Sequence, residues 1–230
     1  YDNSEYATDD AVINQKNNAF LTMATGGWTS RLWTPINQWT NSFSSIQYIN
    51  LFLENVDKVR WSDDAEKAQL FARRTKGEAY GLRALNYYYL LMAHGGWTED
   101  GKLLGVPMLL EPESTTSDFN QARAPFSECV QQIFEDLELA SELLPLDYEN
   151  IDSDAEVPAK YKEIGAQLGN YNLVFGTYQR GRLTMRIVEA IKAQVALLAA
   201  SPAYREGSEV TSETAANYAA AVLNRIGGVT

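Results

Sequence analysis

The sequence predicts an all-α protein built from paired helices with long loops between them. Three observations carry this prediction. Apolar residues recur at three- and four-residue steps, prolines and glycines fall at the ends of those segments, and small residues cluster where helices would cross. The 230 residues are 45% hydrophobic and 11% aromatic, which is enough to fill a core.

The stretch 63–97 organises the rest of the chain. It predicts a helix of about 30 residues that begins with a capping box of Asp63 and Glu66 and ends in a left-handed stop at Gly95-Gly96. Each internal glycine costs about 1 kcal/mol relative to alanine, so neighbouring helices are expected to approach closely at its middle. The small residues there are Ala72, Gly77, Ala79, Gly81 and Ala84.

Four further helices are expected, each bounded by a proline or a capping side chain: 34–58, 124–144, 183–200 and 212–225. The first of these is predicted to open at Thr34-Pro35. The intervening segments are interpreted as loops, namely residues 1–32, 98–123 and 146–170. Residues 1–32 are predicted to contain at most one short helical turn. The acidic segment 146–170 is interpreted as a solvated excursion, that is, an irregular segment that extends into solvent.

Helix pairs separated by long insertions are typical of helix-turn-helix repeats. The spacing between the pairs far exceeds the 34-residue period of tetratricopeptide repeats, so the repeat must be interrupted. The predicted fold class is therefore all-α, an irregular tetratricopeptide-like helical repeat with long inserted loops.

Composition excludes several function classes. A net charge of −11 argues against nucleic acid as a partner, and no apolar stretch is long enough to span a bilayer. One histidine, His94, and one cysteine, Cys129, cannot assemble a metal site, and the common nucleotide-binding and nucleophile motifs are absent from the sequence. The sequence therefore predicts no metal, no cofactor and no catalytic residues. An all-α glycosidase would need a carboxylate pair, which no motif indicates.

Two long motifs carry a resemblance to a known family. The run RTKGEAYGLRALNYYYLL at 74–91, followed by GGW and by Val106-Pro107, resembles the central helix of the SusD/RagB family. The run GRLTMRIVEAIKAQVALLAASPAY at 181–204 resembles the second hallmark of that family, and ATDD at 7–10 is similar to its short acidic motif. The resemblance covers residues 9–230. It implies that residues 1–230 are the N-terminal helical domain, incomplete at both ends.

The resemblance also implies a function. Members are lipoproteins on the extracellular face of the outer membrane that capture oligosaccharide and deliver it to a SusC-like TonB-dependent transporter. The lipid anchor would precede Tyr1, and Cys129 is unsuited to that role. Three alternatives stay open: a peptide-binding RagB-like lid, a helical-repeat interaction scaffold without its own ligand, and, least favoured, a glycosidase.

The candidate ligand-binding residues lie in the first loop. Sugar hydroxyls are bound by carboxylate and amide side chains, and sugar C–H faces by aromatic rings, within a pocket that fixes a few polar groups. The candidates are Asp9, Asp10, Asn14, Asn17, Asn18 and Trp28. The alternative interpretation is turn chemistry for the Asp and Asn residues and packing for Trp28.

Overall fold

A computed structural model describes residues 4–15, 17–27, 29, 37–225 and 227–228. The chain divides into two compact units, Tyr1–Thr40 and Asn41–Thr230. In the first unit, a 3-10 turn over Ser4–Ala7 packs against a short helix, α1 (Ala19–Ala24). The described residues before α2 are largely irregular, as their polar sequence predicts, but they contain two short helical elements rather than one.

The remaining elements are almost entirely helical: α2 (Trp39–Asn55), α3 (Ala65–His94), α4 (Phe126–Leu143), α5 (Ala159–Lys162), α6 (Leu168–Phe175), α7 (Met185–Ala199), α8 (Arg205–Ser208) and α9 (Ser212–Arg225). Within the described residues the only strands are β1 (Gly96–Trp97) and β2 (Leu103–Leu104), which form an antiparallel pair. The all-α prediction is confirmed.

Most predicted helix bounds agree with the structure within a few residues. The predicted start of the second helix at Thr34-Pro35 lies outside the described residues. That helix, α2, is observed from Trp39 and continues as a 3-10 turn over Val56–Lys58. The β1–β2 hairpin and the four-residue helix α8 were not predicted from the sequence.

The central helix α3 spans 30 residues, as predicted, but both of its ends differ from the prediction. The N-cap is Asp64, whose Oδ1 accepts a hydrogen bond from the Lys67 amide at 3.0 Å. Glu66 closes no capping box because its carboxylate instead accepts from the amide of Gln167, just before α6. Gly95 has φ −70° and ψ 147°, so the helix ends in extended rather than left-handed backbone.

Small residues let α4 and the segment before α7 approach α3 closely, as the sequence predicts. A Cβ atom on Gly77 would lie 2.7 Å from Leu144 Cγ, and one on Gly81 would clash with Leu183 Cδ2. Helix α4 also packs against α7, and α7 packs against α9, so the helices form a consecutive series of contacts. The main core between them includes Ile46, Tyr87, Leu90, Leu91, Phe126, Ile133, Leu137, Leu144, Val188 and Val195.

Residues 146–170 are not the solvated excursion that their acidic composition predicts. Together with α6 and one residue of α3 they build a second hydrophobic core, which contains Leu70, Tyr148, Val157, Tyr161, Ala166, Tyr171, Val174 and Phe175. The Tyr161 and Phe175 rings stack with centroids 4.5 Å apart. The acidic side chains stay outside this core while the aromatic residues between them turn inward.

Candidate functional site

Asp9 and Asp10 follow the 3-10 turn of the first unit, and both residues are exposed. The turn is closed by Thr8, whose hydroxyl donates to the Glu5 carbonyl at 2.7 Å and accepts from the Asp10 amide at 3.2 Å. These bonds fix the backbone of the pair through Thr8 rather than through the two carboxylates. Exposed carboxylates of this kind can accept hydrogen bonds.

The three candidate asparagines have two different environments. Asn14 and Asn17 are exposed, whereas Asn18 is half-buried at the start of α1. Asn18 Oδ1 accepts from the amides of Phe20 at 3.0 Å and Leu21 at 3.1 Å, which is the usual geometry of an N-cap. Its side-chain oxygen therefore stabilises the start of α1.

Trp28, the sixth candidate, lies outside the described residues. The other five candidates all belong to the first unit, where α1 packs against the 3-10 turn that precedes Asp9. Asp9 and Asp10 share one bend, and Asn17 and Asn18 share the start of one helix. The grouping of these residues as one ligand site stays a prediction.

A polar cluster in the second unit connects α3 to the GR motif before α7. The Glu78 carboxylate accepts a hydrogen bond from the Tyr148 hydroxyl at 3.3 Å. It also lies 3.5 Å from Arg74 Nε and 3.7 Å from Arg182 Nη1. Burial, reinforced by the charge of Glu78, raises the pKa of Tyr148. Burial also lowers the pKa of Arg74, although Glu78 opposes that shift. One arginine from each family-like motif, Arg74 and Arg182, therefore lies at the same carboxylate.

Two of the grooves on the described surface of the second unit differ in the character of their lining. One, of about 380 Å³, is lined by Glu138, Ser141, Glu142, Glu189, Lys192, Tyr218 and Ala221. In it, Lys192 Nζ lies 3.0 Å from Glu138 Oε1 and 4.7 Å from the Tyr218 ring centroid, so its charge is already neutralised. The other, of about 600 Å³ between α7 and α9, is lined mainly by alanines and Leu197.

Several aromatic rings of the second unit face solvent. Tyr178 is 95% exposed, Tyr48 is 74% exposed and Phe119 is 67% exposed. Sequence reasoning did not single out any of them. The local sequence around Tyr178 could have indicated its exposure. Tyr178 lies between two glycines and next to Gln179 and Arg180, a composition typical of a surface turn.

The described part of the chain holds no group of three or more His, Cys, Asp or Glu side chains that could bind a metal ion. Among the same residues, no helix is both long and apolar enough to cross a membrane. His94, the single histidine, is half-buried, and burial together with nearby Arg123 lowers its pKa.

Comparison with known families identifies the class of protein. Residues 2–162 match a SusD-like family described as "Starch-binding associating with outer membrane". The match covers well over half of the chain, so the chain belongs to this SusD-like family. No curated protein matches the chain.

Solved structures share the fold at low sequence identity. A SusD-like carbohydrate-binding protein from Bacteroides fragilis NCTC 9343 is 18% identical with a TM-score of 0.57, over 97% of this chain and 33% of its own. A laminarin-binding SusD-like protein is 21% identical with a TM-score of 0.56, over 91% and 33%. A SusD-like carbohydrate-binding protein from Bacteroides vulgatus ATCC 8482 is 19% identical with a TM-score of 0.54, over 84% and 32%. The chain thus spans about one third of the length of these proteins.

Proposed function

We propose that residues 1–230 form the N-terminal helical domain of a cell-surface glycan-binding lipoprotein. The protein captures oligosaccharide and delivers it to a SusC-like TonB-dependent transporter in the outer membrane. The observation that carries this proposal is the family match over residues 2–162, with its description as starch-binding and associated with the outer membrane. Carbohydrate-binding proteins among the structural neighbours support it.

The proposed ligand site is the loop of the first unit. Asp9 and Asp10 supply carboxylates, Asn14 and Asn17 supply exposed amides, Asn18 supplies an NH2 group beside its cap, and Trp28 supplies an aromatic face. Loops attached to a helical body commonly carry binding residues. A chain with net charge −11 is better suited to a neutral oligosaccharide than to a polyanion.

The proposed role is binding without catalysis. Hydrolysis of a glycosidic bond requires an acid with a raised pKa facing a second carboxylate across the sugar. Asp9 and Asp10 are instead adjacent residues on one exposed bend rather than two carboxylates on opposite sides of a cleft. We therefore expect the protein to release no reducing ends from a polysaccharide panel. Release that disappears on mutation of a single carboxylate would contradict the proposal.

Membrane attachment is proposed to occur through an N-terminal lipid, with the helical repeat contacting the transporter. A membrane-anchored binding protein would hold captured glycan close to the transporter entrance and so raise its local concentration. We expect the protein to fractionate with outer membranes and to co-purify with a TonB-dependent transporter. Recovery in the soluble fraction without such a partner would argue against delivery.

Binding itself is tested with the full-length protein on an array that carries both glycans and peptides. Binding of at least one neutral glycan, followed by calorimetric titration of the hit, is the expected result. Binding of peptides alone would replace the glycan proposal with a peptide-binding role. Binding of neither glycans nor peptides would favour a scaffold without its own ligand.

A further inference from the structure

Tyr178 lies on the turn between α6 and α7, in a 3-10 element over Thr177–Gln179. The tyrosines that precede it, Tyr161 and Tyr171, are buried in the second core, whereas Tyr178 is 95% exposed. Its ring therefore adds almost nothing to the packing of the fold. A lone exposed aromatic is common on protein surfaces and by itself indicates little.

The backbone that carries Tyr178 is held from both sides. The Gly176 amide donates to the Asn172 carbonyl at 3.0 Å, and the Thr177 amide donates to Asn150 Oδ1 at 3.0 Å. A Cβ atom on Gly176 would clash with both of these acceptors, so this position requires glycine. The turn is thereby fixed to α6 and to the 146–150 segment, and the ring is presented on rigid backbone.

Polar side chains follow Tyr178 along the same turn. Arg182 Nε donates to Gln179 Oε1 at 3.1 Å, and Arg180 Nη2 donates to Glu149 Oε1 at 2.6 Å. Arg182 also lies 3.7 Å from Glu78. Arg180 thus has a carboxylate of its own, whereas Arg182 shares Glu78 with Arg74. Both Arg180 and Arg182 are partly exposed, so the turn presents guanidinium hydrogen-bond donors to solvent.

We propose that the Tyr178 turn of the second unit is a further oligosaccharide contact surface. The inference rests on the proposed glycan-binding function. The exposed ring offers a flat face for the C–H face of a neutral sugar, and the partly exposed guanidinium groups of Arg180 and Arg182 offer donors for its hydroxyls. Because the turn is held before the ligand arrives, little conformational freedom is lost on binding. Tyrosine suits this use because it combines a large surface with only two rotatable torsions.

The experiment is affinity gel electrophoresis of the full-length protein in gels that contain soluble starch or laminarin. Tyr178→Ala is compared with Tyr178→Phe and with Tyr48→Ala, which removes another exposed tyrosine, from the surface of α2. We expect Tyr178→Ala to weaken affinity about three- to tenfold, the scale of one aromatic contact. Tyr178→Phe keeps the ring and should recover most of this loss. Tyr48→Ala should migrate like the parent.

The outcomes separate the two proposals. If the parent protein is retarded by neither glycan in the gel and binds no glycan on the array, the proposed function is wrong, and so is the proposed second surface. A parent that binds while Tyr178→Ala binds equally well overturns only the second surface. Equal losses in Tyr178→Ala and Tyr48→Ala would also overturn it, because the effect would then not depend on the held turn. Unchanged glycan affinity with weaker transporter co-purification would assign the turn to a protein contact instead.

Discussion

Arg83 lies inside the main core, where its charge must be compensated. Its Nε and Nη2 donate to the two carboxylate oxygens of Asp136, each at 2.7 Å, and its Nη1 donates to Asn50 Oδ1 at 2.9 Å. Burial opposes the charge of Arg83, but the bonds to Asp136 outweigh this and raise the pKa of the guanidinium. The sequence showed an arginine in a helical motif, and only the fold reveals that α2, α3 and α4 are joined through it.

Loss of one partner of this pair should be costly. Asp136→Ala leaves a buried unpaired guanidinium and is expected to lower the free energy of unfolding by about 3–5 kcal/mol. The double variant Arg83→Met/Asp136→Leu should lose less stability than the sum of the losses caused by Arg83→Met alone and Asp136→Leu alone. Urea unfolding followed by circular dichroism measures both effects. Asp57→Ala, which breaks the more exposed Lys76–Asp57 pair, is the control and should cost less than about 1 kcal/mol. Additive single losses would show that the pair is not coupled.

The loop of the first unit allows a test that separates binding from folding. The variant Asn17→Ala/Asn18→Ser/Trp28→Ala removes amide and aromatic groups, while the serine hydroxyl that replaces the Asn18 amide still caps α1. Calorimetric titration of the full-length protein should show binding weakened by about 2 kcal/mol or more, as for other anchor residues. Trp61→Ala is the folding control because Trp61 stacks on Phe71 and donates to the Val56 carbonyl. Unchanged affinity with intact circular dichroism would place the ligand elsewhere.

At the scale of elements, the sequence predicted the long helices and missed the short ones. Helices α3, α4, α7 and α9 are long enough for an apolar face to repeat several times, and their ends carry prolines or caps. The second hydrophobic core was not predicted from the sequence because α5 and α6 have only four and eight residues, too few to establish an apolar period. Their aromatic residues are separated by exposed acidic residues, so the composition alone indicated a solvent-exposed segment.

Glycines in α3 offer an element-scale test of how closely the helices approach. A Cβ atom at Gly77 meets Leu144 Cγ and Leu143 Cβ at 2.7 and 3.0 Å, atoms close to the α4 backbone. Gly77→Ala and the overpacking variant Ala84→Leu should each lower the free energy of unfolding by about 1–3 kcal/mol. Gly81→Ala should cost less because it meets only the end of the Leu183 side chain.

The control for this series is Gly169→Ala in α6, where the added Cβ atom meets nothing within 4 Å. That change should leave stability unchanged or raise it by up to about 1 kcal/mol, since alanine favours helix. Urea midpoints rank the four variants. If Gly77→Ala and Ala84→Leu are as stable as the parent, the close packing of α4 on α3 is wrong.

At the scale of the whole molecule, exposure is what the sequence could not predict. Tyr161, Tyr171 and Tyr178 occur within 18 residues and have similar polar neighbours, yet two are buried and one is almost fully exposed. The cap role of Asn18 was equally hidden, because α1 has six residues and no apolar period. The polar character of the first loop was readable from sequence. The Tyr178 surface was not, because it depends on how α6 packs against the 146–150 segment.

Buried phenols also make the stability of the molecule depend on pH. Burial raises the pKa of Tyr87, Tyr148 and Tyr161 above the ordinary value near 10. Above pH 10 the unfolded chain therefore loses protons that the folded protein keeps, so stability present below pH 10 falls as pH rises. Lys160 acts in the opposite direction. Burial lowers its pKa to about 8, so its contribution to stability rises between about pH 8 and its ordinary pKa near 10.5.

A single tyrosine isolates the alkaline effect. Tyr161 is fully buried and donates its hydroxyl to the Leu143 carbonyl at 3.1 Å, so Tyr161→Phe removes one phenol that must ionise on unfolding. The variant should be less stable than the parent near pH 8, by about 1 kcal/mol for the lost hydrogen bond. Its free energy of unfolding should then fall less steeply between pH 10 and 11.5, because one fewer buried proton is released. Urea unfolding across this range measures both slopes, with Tyr178→Phe as the exposed control. Parallel curves for Tyr161→Phe and the parent would mean that the Tyr161 phenol ionises alike in the folded and unfolded states.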